Sequence, residues 1–376
     1  MGFDWKASFP QAEINNMVRD RAINRFVMYL CYLFKINRFK LKNLFGHQQF
    51  REDLTLQGLD QFAQQAFALF SRQAAHNPLY RSYLDILAIE PASIQQLNRI
   101  PFLPIRFFKS HDIQTGEFNP AYCFESSGTT GAVNSRHCIK SMTEYLENAK
   151  ANFIEFYGDP SDYCILALLP SYLERKHSSL VSMADHLIKE SGHPKSGFFL
   201  HDLSRLHDVI QGLEAEGKRT LLLGVTYALL DFAEAYPMKL RNTIVMETGG
   251  MKGRREEITR SQLHDVLNDR LGTEMVHAEY GMTELLSQAY SFGEGIFEPS
   301  STMQILMRST DDPFEVWTAD EYPMRSGVIN VIDLANKDSI AFIATDDLGR
   351  FTEDGGFEVT GRLDNCDIRG CSLLSV

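Results

Sequence analysis

Four short segments of the sequence carry side chains that could bind a nucleotide. The first, FESSGTTGAVNSRH at residues 124–137, combines glycines with Ser126, Ser127, Thr129 and Thr130. Small residues let backbone N–H groups point into a concavity, and hydroxyl groups add donors for phosphate oxygens. It is not a Walker loop, because no GK[ST] follows. On its own, the Ser/Thr/Gly hexapeptide at residues 126–131 is also typical of a plain flexible loop.

The other three segments strengthen the nucleotide interpretation. HAEYGMTE (residues 277–284) follows a predicted buried strand, the place where open α/β sheets bind ligands. A tyrosine can stack on a purine, a threonine can bond a phosphate, and a carboxylate can hold Mg²⁺. ATDDLGRF (residues 344–351) offers a carboxylate for ribose hydroxyls, and GRLDNCDIRG (residues 361–370) precedes Cys371. The alternative for the second segment is an ordinary loop with Glu284 as a solvated charge.

The elements that position these segments follow from the apolar pattern. Strands are predicted at residues 163–169, 220–225, 242–248 and 274–280, and helices at residues 203–217 and 255–272. Strands separated by helices predict a mostly parallel, helix-covered sheet. Beyond residue 300, short apolar runs divided by Gly, Asp and Asn predict a small antiparallel layer.

Composition limits the class of protein. A chain of 376 residues with 44% hydrophobic content can bury a substantial core as one large domain or two modest ones. A formal charge of -12 argues against a general nucleic-acid binder, which needs a net basic face.

One local segment is basic. Between Arg19 and Lys42, seven Lys or Arg residues and one Asp surround the apolar residues 26–34. Those nine residues are too few for a transmembrane helix, which needs about 20. The segment therefore predicts either a helix docked on the main body or an interfacial helix that contacts a membrane or a partner.

The cysteines suggest a reducing environment. Six cysteines are scattered with no CxxC pair and no zinc-like histidine spacing, which predicts reduced thiols in a cytoplasmic protein. Cys31, Cys123, Cys138 and Cys164 are each expected to be small buried hydrophobes.

The four segments, in this order, resemble the adenylate-forming enzymes, the superfamily of acyl-CoA ligases and luciferases that make an acyl-AMP from a carboxylic acid and ATP. The resemblance spans about residues 55–376. It implies an α/β fold, namely the N-terminal domain of those enzymes, with helix-covered sheets and a small antiparallel β subdomain. The triphosphate loop that it implies consists of Ser126, Ser127, Gly128, Thr129, Thr130 and Gly131.

The resemblance also implies roles around the rest of the nucleotide. In the YGxTE motif, Tyr280 lies beside adenine, Thr283 near the α-phosphate and Glu284 on Mg²⁺, and Gly281 contacts the nucleotide as well. The glycine pair that lies along the nucleotide falls on Gly249 and Gly250.

The ribose and hinge motifs follow in the same way. Asp347 is implied to hold ribose, although Asp346 stands where the family usually has glycine. The hinge motif GRxD falls on Gly361, Arg362 and Asp364, and Arg362 belongs to the implied nucleotide site.

Two departures from the family narrow the resemblance. The lysine that often follows the loop in CoA ligases is missing, and the sequence has Arg136 and His137 there instead. Few residues follow the hinge, so the C-terminal lid domain, which carries a catalytic lysine and completes the CoA tunnel, is expected to be lacking.

What remains resembles the acyl-protein synthetases of the LuxE type (long-chain-fatty-acid–protein ligases), near phenylacetate-CoA ligase. The similar segments are IPFLPIRFFKS (100–110), LPSYLERKHSSLVSM (169–183) and DIRGCSLL (367–374). The resemblance implies that a fatty or other carboxylic acid is activated with ATP and Mg²⁺ and transferred to Cys371. From Cys371 the acyl group passes to a partner acyl reductase or transferase.

The predicted organisation has three parts: a basic helical extension at residues 1–50, an acyl-activating domain at residues 51–360, and a hinge with a cysteine arm at residues 361–376. Seven residues separate Asp364 from Cys371, and extended chain of that length reaches roughly 25 Å. Arg369 can lower the thiol pKa if both side chains share a face. Cys366 is the other candidate acceptor, and an inert terminal thiol is the remaining alternative.

Three alternatives stay open at this point. The chain could be an acyl-CoA ligase, or another adenylating enzyme such as a deazaflavin adenylyltransferase near phenylacetate-CoA ligase. It could also be a non-catalytic nucleotide-binding scaffold subunit. The expected location is the cytoplasm, either free or peripheral to a membrane, with no transmembrane segment.

Overall fold

The computed structural model of the protein describes residues 49–126, 133–170, 177–250 and 258–363, with side chains from residue 61 onward. The chain divides into two compact units, Met1–Gln65 and Ala66–Val376. The basic segment at residues 19–42 lies outside the described residues. Within the described ranges, no helix combines the length and the apolar character needed to cross a membrane.

Eight α-helices occur in the described ranges, and their ends follow from capping residues. They are α1 (Gln49–His76), α2 (Pro78–Ile86), α3 (Phe107–Ser110), α4 (Met142–Tyr157), α5 (Ser179–Ser191), α6 (Leu203–Glu216), α7 (Thr226–Ala235) and α8 (Arg260–Leu271). Ser141 begins α4 by accepting the Glu144 backbone N–H. Helix α6 ends at Gly217, whose φ of 66° is left-handed, as the sequence predicts.

One end of the large sheet is parallel. Its strands, in spatial order, are β5 (Gly197–Phe198), β4 (Cys164–Leu168), β6 (Thr220–Gly224), β7 (Thr243–Glu247) and β8 (Val276–Tyr280). Neighbouring strands pair in parallel throughout this part. Strands β4, β6 and β7 are buried along their whole length, which is why they read as continuous apolar runs.

The other end of the same sheet is antiparallel. From β8 the order continues through β9 (Ala289–Ser291), β10 (Ile296–Pro299), β15 (Phe357–Arg362), β14 (Phe342–Phe351), β13 (Ser326–Asp333), β11 (Met303–Arg308) and β12 (Val316–Trp317). Strand β1 (Leu103–Pro104) adds to β14 in parallel. The antiparallel layer that the sequence predicts therefore continues the parallel strands in one hydrogen-bonded sheet of 13 strands.

A separate hairpin carries the candidate phosphate loop. Strands β2 (Tyr122–Glu125) and β3 (Arg136–Ile139) pair antiparallel. Phe124 is fully buried against Tyr145 of α4, with ring centroids 4.9 Å apart. This aromatic contact fixes the root of the loop against the helix that follows it.

Candidate active site

The candidate site is centred on the turn that follows β8. Strand β8 is parallel to β7 on one side and antiparallel to β9 on the other. Where strand pairing changes from parallel to antiparallel, the chain leaves the sheet, and a crevice for a ligand can form at the carboxyl ends of the strands. Tyr280 ends the strand, and Thr283 and Glu284 follow in the turn. The motif is therefore where the sequence predicts it, at the end of a buried strand.

Glu284 brings three chain segments together. Its side chain is only 6% exposed, and burial raises the pKa of its carboxyl, while the Ser135 hydroxyl and the Arg362 guanidinium act in the opposite direction. Asp347 is near enough to raise that pKa further. Glu284 in the β8 turn therefore lies close to Ser135 at the end of the phosphate loop. It also lies close to Asp347 of β14 and Arg362 of β15.

A buried histidine holds this turn from behind. His137 Nδ1 lies 2.9 Å from the Thr283 carbonyl oxygen, and its Nε2 lies 3.1 Å from Asn336 Oδ1. Asn336 Nδ2 in turn donates to the Glu284 carbonyl oxygen at 2.8 Å. Burial lowers the pKa of His137 to about 4. Of the two residues that stand where CoA ligases often have lysine, His137 therefore positions the turn.

Arg136, the other residue at that place in the sequence, lies on the β2–β3 hairpin. Its Nη1 forms an ion pair with Asp112 Oδ1 at 3.0 Å, and its Nη2 lies 4.0 Å from Cys123 Sγ and 3.9 Å from Cys138 Sγ. The guanidinium is therefore held along the outside of the β2–β3 hairpin.

The candidate ribose site is a compact charged network. Tyr280 donates its hydroxyl proton to Asp347 Oδ2 at 3.0 Å, and Arg362 Nε lies 3.1 Å from Asp347 Oδ1. The Tyr280 ring is buried beside Phe357, at 5.5 Å between centroids. Asp346 points elsewhere, to Arg106 Nε at 3.2 Å. Of the two neighbouring carboxylates, Asp347 is the one that faces Tyr280 and Arg362.

The glycine pair follows a buried carboxylate, Glu247, that is paired with Arg260. Gly249 and Gly250 have φ values of 73° and 92°, a left-handed region that favours glycine. The Gly249 N–H donates to Glu247 Oε2 at 2.6 Å, and Arg260 Nε donates to Glu247 Oε1 at 2.8 Å. Although burial opposes ionisation of Glu247, His264 and Arg260 outweigh it and lower its pKa. Neither Glu247 nor Arg260 is predicted from the sequence; the one signal is that Glu247 is an acid at the end of a buried strand.

The phosphate loop is described only at its base. Ser126 N–H donates to the Ser135 carbonyl at 3.0 Å, and Ser135 N–H donates to Ser126 Oγ at 2.9 Å. These bonds close the loop at its root. The remaining candidates of the loop and arm lie outside the described residues: Ser127, Gly128, Thr129, Thr130, Gly131, Asp364, Cys366 and Cys371.

Two cysteines correct a sequence expectation. Cys123 and Cys138 are partners in the β2–β3 register and form a disulfide, so they are neither thiols nor independent hydrophobes. The physical reason is the antiparallel pairing, which brings the side chains of directly opposite residues together. Cys164 is free and buried, in agreement with the prediction.

The residues suit a magnesium ion that is shared with phosphates. In the described part of the chain, no three His, Cys, Asp or Glu side chains group as a metal site. Glu284 is a buried carboxylate with no ion-pair partner within 4 Å among the described residues. Mg²⁺ commonly takes one or two protein carboxylates and completes its shell with phosphate oxygens and water. Glu284 fits that use.

Comparison with known proteins supports the architecture. The crystal structure of 2-hydroxyisobutyryl-CoA ligase, in complex with 2-HIB-AMP and CoA, matches with a TM-score of 0.57 and 14% identity, over 81% of this chain and 68% of that chain. This likeness shows the fold. It is the mixed α/β fold of the N-terminal domain of adenylate-forming enzymes.

Two further structures match less closely. ATP-bound MatB from Rhodopseudomonas palustris has a TM-score of 0.46 and 17% identity, over 66% of this chain and 50% of that chain. O-succinylbenzoate coenzyme A synthetase from Bacillus subtilis with AMP has a TM-score of 0.45 and 17% identity, over 65% and 50%. The chain thus spans about half the length of these two. No protein-family model and no curated protein sequence matches.

Proposed function

We propose that this protein activates a carboxylic acid with ATP as an acyl adenylate and then transfers the acyl group to its own Cys371. The resemblance of the sequence to acyl-protein synthetases implies a fatty acid and a partner acyl reductase or transferase as the final acceptor. The observation that carries the proposal is the meeting of Glu284, Asp347, Arg362 and Tyr280 at the carboxyl end of β8.

In the activation step, a carboxylate oxygen of the acid attacks the α-phosphorus, and the bond to pyrophosphate breaks. No protein base is required, because the acid is ionised at neutral pH. Asp347 and Arg362 bind the ribose, Thr283 donates to the α-phosphate, and Glu284 holds Mg²⁺. Bound Mg²⁺ supplies charge neutralisation for the phosphates. Catalysis then consists of positioning and electrostatic stabilisation by side chains that the fold has already fixed.

In the transfer step, the Cys371 thiolate attacks the acyl carbon, AMP leaves, and the thiol proton goes to solvent. The last described residue, Leu363, donates its N–H to the Asp346 carbonyl oxygen at 2.8 Å. The eight residues from there to Cys371 extend at most about 29 Å. Because Asp346 adjoins Asp347, this anchor beside the ribose site supports the proposal.

The first experiment separates activation from transfer. Full-length protein is incubated with ATP, Mg²⁺ and a mixture of carboxylic acids, and the denatured protein is weighed by mass spectrometry. We expect an acyl increment on the wild type and on Cys366→Ser, and none on Cys371→Ser. AMP formation should persist in both variants. An increment that persists in Cys371→Ser contradicts the assignment of the acceptor.

The second experiment tests activation itself. Glu284→Gln removes the carboxylate charge at nearly constant size and should lower ATP–pyrophosphate exchange roughly 100-fold or more, the usual effect of removing a transition-state electrostatic partner. Asp346→Asn, which changes a carboxylate facing Arg106, is the matched control and should retain exchange. Repeating the assay with CoA and analysing the products identifies a CoA ligase. Absence of exchange with every acid would favour a nucleotide-binding scaffold.

A further inference from the structure

A group of polar side chains lies on the face of β8 opposite to Tyr280. Successive side chains of a strand point to opposite faces, so Glu279 faces away from the candidate ribose site. Glu279 pairs in register with Tyr290 of β9, which places both on one face. A Cβ built at Gly281 would lie 2.3 Å from Glu279 Oε1 and 3.8 Å from Gln288 Cγ. Glu279 and Gln288 therefore meet beside Gly281. Tyr290 lies on the same face, near enough to Glu279 for its charge to raise the pKa of Tyr290, and we call the three residues the polar trio.

The polar trio is buried, and some of its hydrogen-bonding atoms have no partner. Glu279 is 9% exposed, Gln288 4% and Tyr290 1%. The Tyr290 hydroxyl and Gln288 Oε1 have no hydrogen-bond partner, and no described residue bonds to the Glu279 carboxyl. An unpaired buried polar group costs about 1–3 kcal/mol. Two such atoms, beside a carboxyl that no described residue bonds, indicate a site that a ligand group completes.

The neighbouring tyrosines show that this condition is local. The Tyr145 hydroxyl donates to the Ser179 carbonyl oxygen at 2.8 Å, and the Tyr157 hydroxyl lies 3.1 Å from His277 Nδ1. Both are on α4 and both are near enough to Glu279 for its charge to raise their pKa. Partners are thus available on this face, and Tyr290 alone of these three tyrosines lacks one.

The donors and acceptors of the polar trio select one kind of group. Burial raises the pKa of Glu279 to about 8, so its carboxyl is protonated at neutral pH and donates. The Tyr290 hydroxyl also donates. Gln288 Oε1 accepts, since Nε2 is directed to the Leu286 carbonyl oxygen at 3.5 Å. A hydroxyl group, with one donor and two acceptor positions, satisfies all three, whereas an ammonium group has no acceptor and a methyl group has neither.

We propose that the polar trio binds a hydroxyl group of the acid substrate, so that the acid activated is a hydroxy acid and not an unsubstituted alkyl acid. This rests on the proposed function. Gly281 is two residues before Thr283, a separation of at most about 7 Å. The carboxylate of the acid has to approach the α-phosphate near Thr283. The hydroxyl is therefore expected on one of the first few carbons after the carboxylate of the acid. The trio does not limit how many carbons the acid has beyond that hydroxyl.

The test is ATP–pyrophosphate exchange by the full chain with matched acids of equal carbon number: butanoate against 2-, 3- and 4-hydroxybutanoate, and octanoate against 3-hydroxyoctanoate. A site built to bond a hydroxyl strongly rejects the analogue that lacks it. We expect kcat/KM to favour a hydroxy acid by about 100-fold or more. Equal use of both members of each pair overturns the inference, because the trio then holds only an internal water.

Variants separate recognition from folding. Tyr290→Phe removes an unpartnered hydroxyl, so it should fold normally while reducing the preference for the hydroxy acid roughly tenfold. Glu279→Leu should nearly abolish the preference, and Glu279→Gln, whose amide still donates and accepts, should restore most of it. Tyr163→Phe, which changes an equally buried tyrosine whose hydroxyl bonds Tyr157 and Arg219, is the matched control and should keep the preference. Unchanged preference in Tyr290→Phe and Glu279→Leu contradicts the inference.

The two proposals fail in different ways. If no acid of either kind supports exchange, both the proposed function and the hydroxy-acid inference are overturned. If alkyl and hydroxy acids support exchange equally, acid activation stands and only the inference falls.

Discussion

The polar groups on the two faces of strand β8 differ in whether they are hydrogen-bonded. On one face, the Asp347 carboxylate is already bonded to the Tyr280 hydroxyl and the Arg362 guanidinium. On the other, the Glu279 carboxyl and the Tyr290 hydroxyl lie buried without partners. Tyr280, Glu279 and Tyr290 are all buried on the same pair of strands, so the difference lies in which side chains the neighbouring strands supply.

This difference indicates different roles for the two faces. A network that is complete before binding stabilises the fold and presents a fixed, charged surface, which suits a nucleotide common to many enzymes. A cluster that is incomplete gains its missing bonds only with the right ligand, which suits selection of the acid. Since each unmade bond carries a cost of about 1–3 kcal/mol, the incomplete face trades stability for selectivity.

The largest expected effect concerns the pH dependence of stability on the incomplete face. The pKa of Glu279 is about 8 in the folded chain against 4.5 for an ordinary glutamate. Between these values the unfolded chain releases the proton and the folded chain retains it, so stability falls as pH rises from 4.5 to 8. At 1.36 kcal/mol per pKa unit, the loss is roughly 3 to 5 kcal/mol.

Denaturant unfolding at about pH 4 and about pH 9 measures this loss, with Glu279→Gln as the comparison. The difference in free energy of unfolding between wild type and variant should shift by that amount in favour of the variant at high pH. Taking the difference removes the contribution of other groups, such as Glu284, whose pKa is also raised. Parallel pH profiles for the two proteins would show that Glu279 ionises freely.

The second largest effect concerns the KM for ATP and the KM for the acid, which we expect to depend on opposite faces of β8. Asp347→Asn weakens charge-assisted bonds worth about 1.5–3 kcal/mol and should raise KM for ATP roughly 10- to 100-fold, with KM for the acid nearly unchanged. Glu279→Leu should do the reverse. Initial rates with ATP and acid varied separately give both constants. If Asp347→Asn changes both constants equally, the two faces do not act as separate sites.

Local chemistry in the sequence predicts much of this architecture. The strand runs of β4, β6, β7 and β8, and the glycine that ends α6, follow from apolar periodicity and backbone preference. The position of the YGMTE turn at the end of a buried strand follows from the same reasoning. These features depend on residues that are close together in the sequence, so they can be predicted from it.

Features that depend on distant pairing could not be predicted. Glu279 meets Tyr290 because β8 turns back into β9 in one particular register, and a shift of one residue would point Tyr290 to the other face. The Cys123–Cys138 disulfide and the contact of His137 with Thr283 depend likewise on strand pairing and on packing between segments far apart in sequence. An acid within the apolar run VHAEY was the one visible signal of the polar trio.

The smallest expected effect compares two tyrosines that are equally buried. Tyr163 donates its hydroxyl proton to the Tyr157 carbonyl oxygen at 2.7 Å and accepts from Arg219 Nη2 at 2.7 Å, whereas the Tyr290 hydroxyl has no partner. Tyr163→Phe should therefore lower the free energy of unfolding by about 2 kcal/mol or more, while Tyr290→Phe should change it by less than about 0.5 kcal/mol or raise it. Urea unfolding of both variants at neutral pH measures the difference. An equal loss in the two would mean that the Tyr290 hydroxyl is bonded in the free protein, and the contrast between the faces of β8 would then not hold.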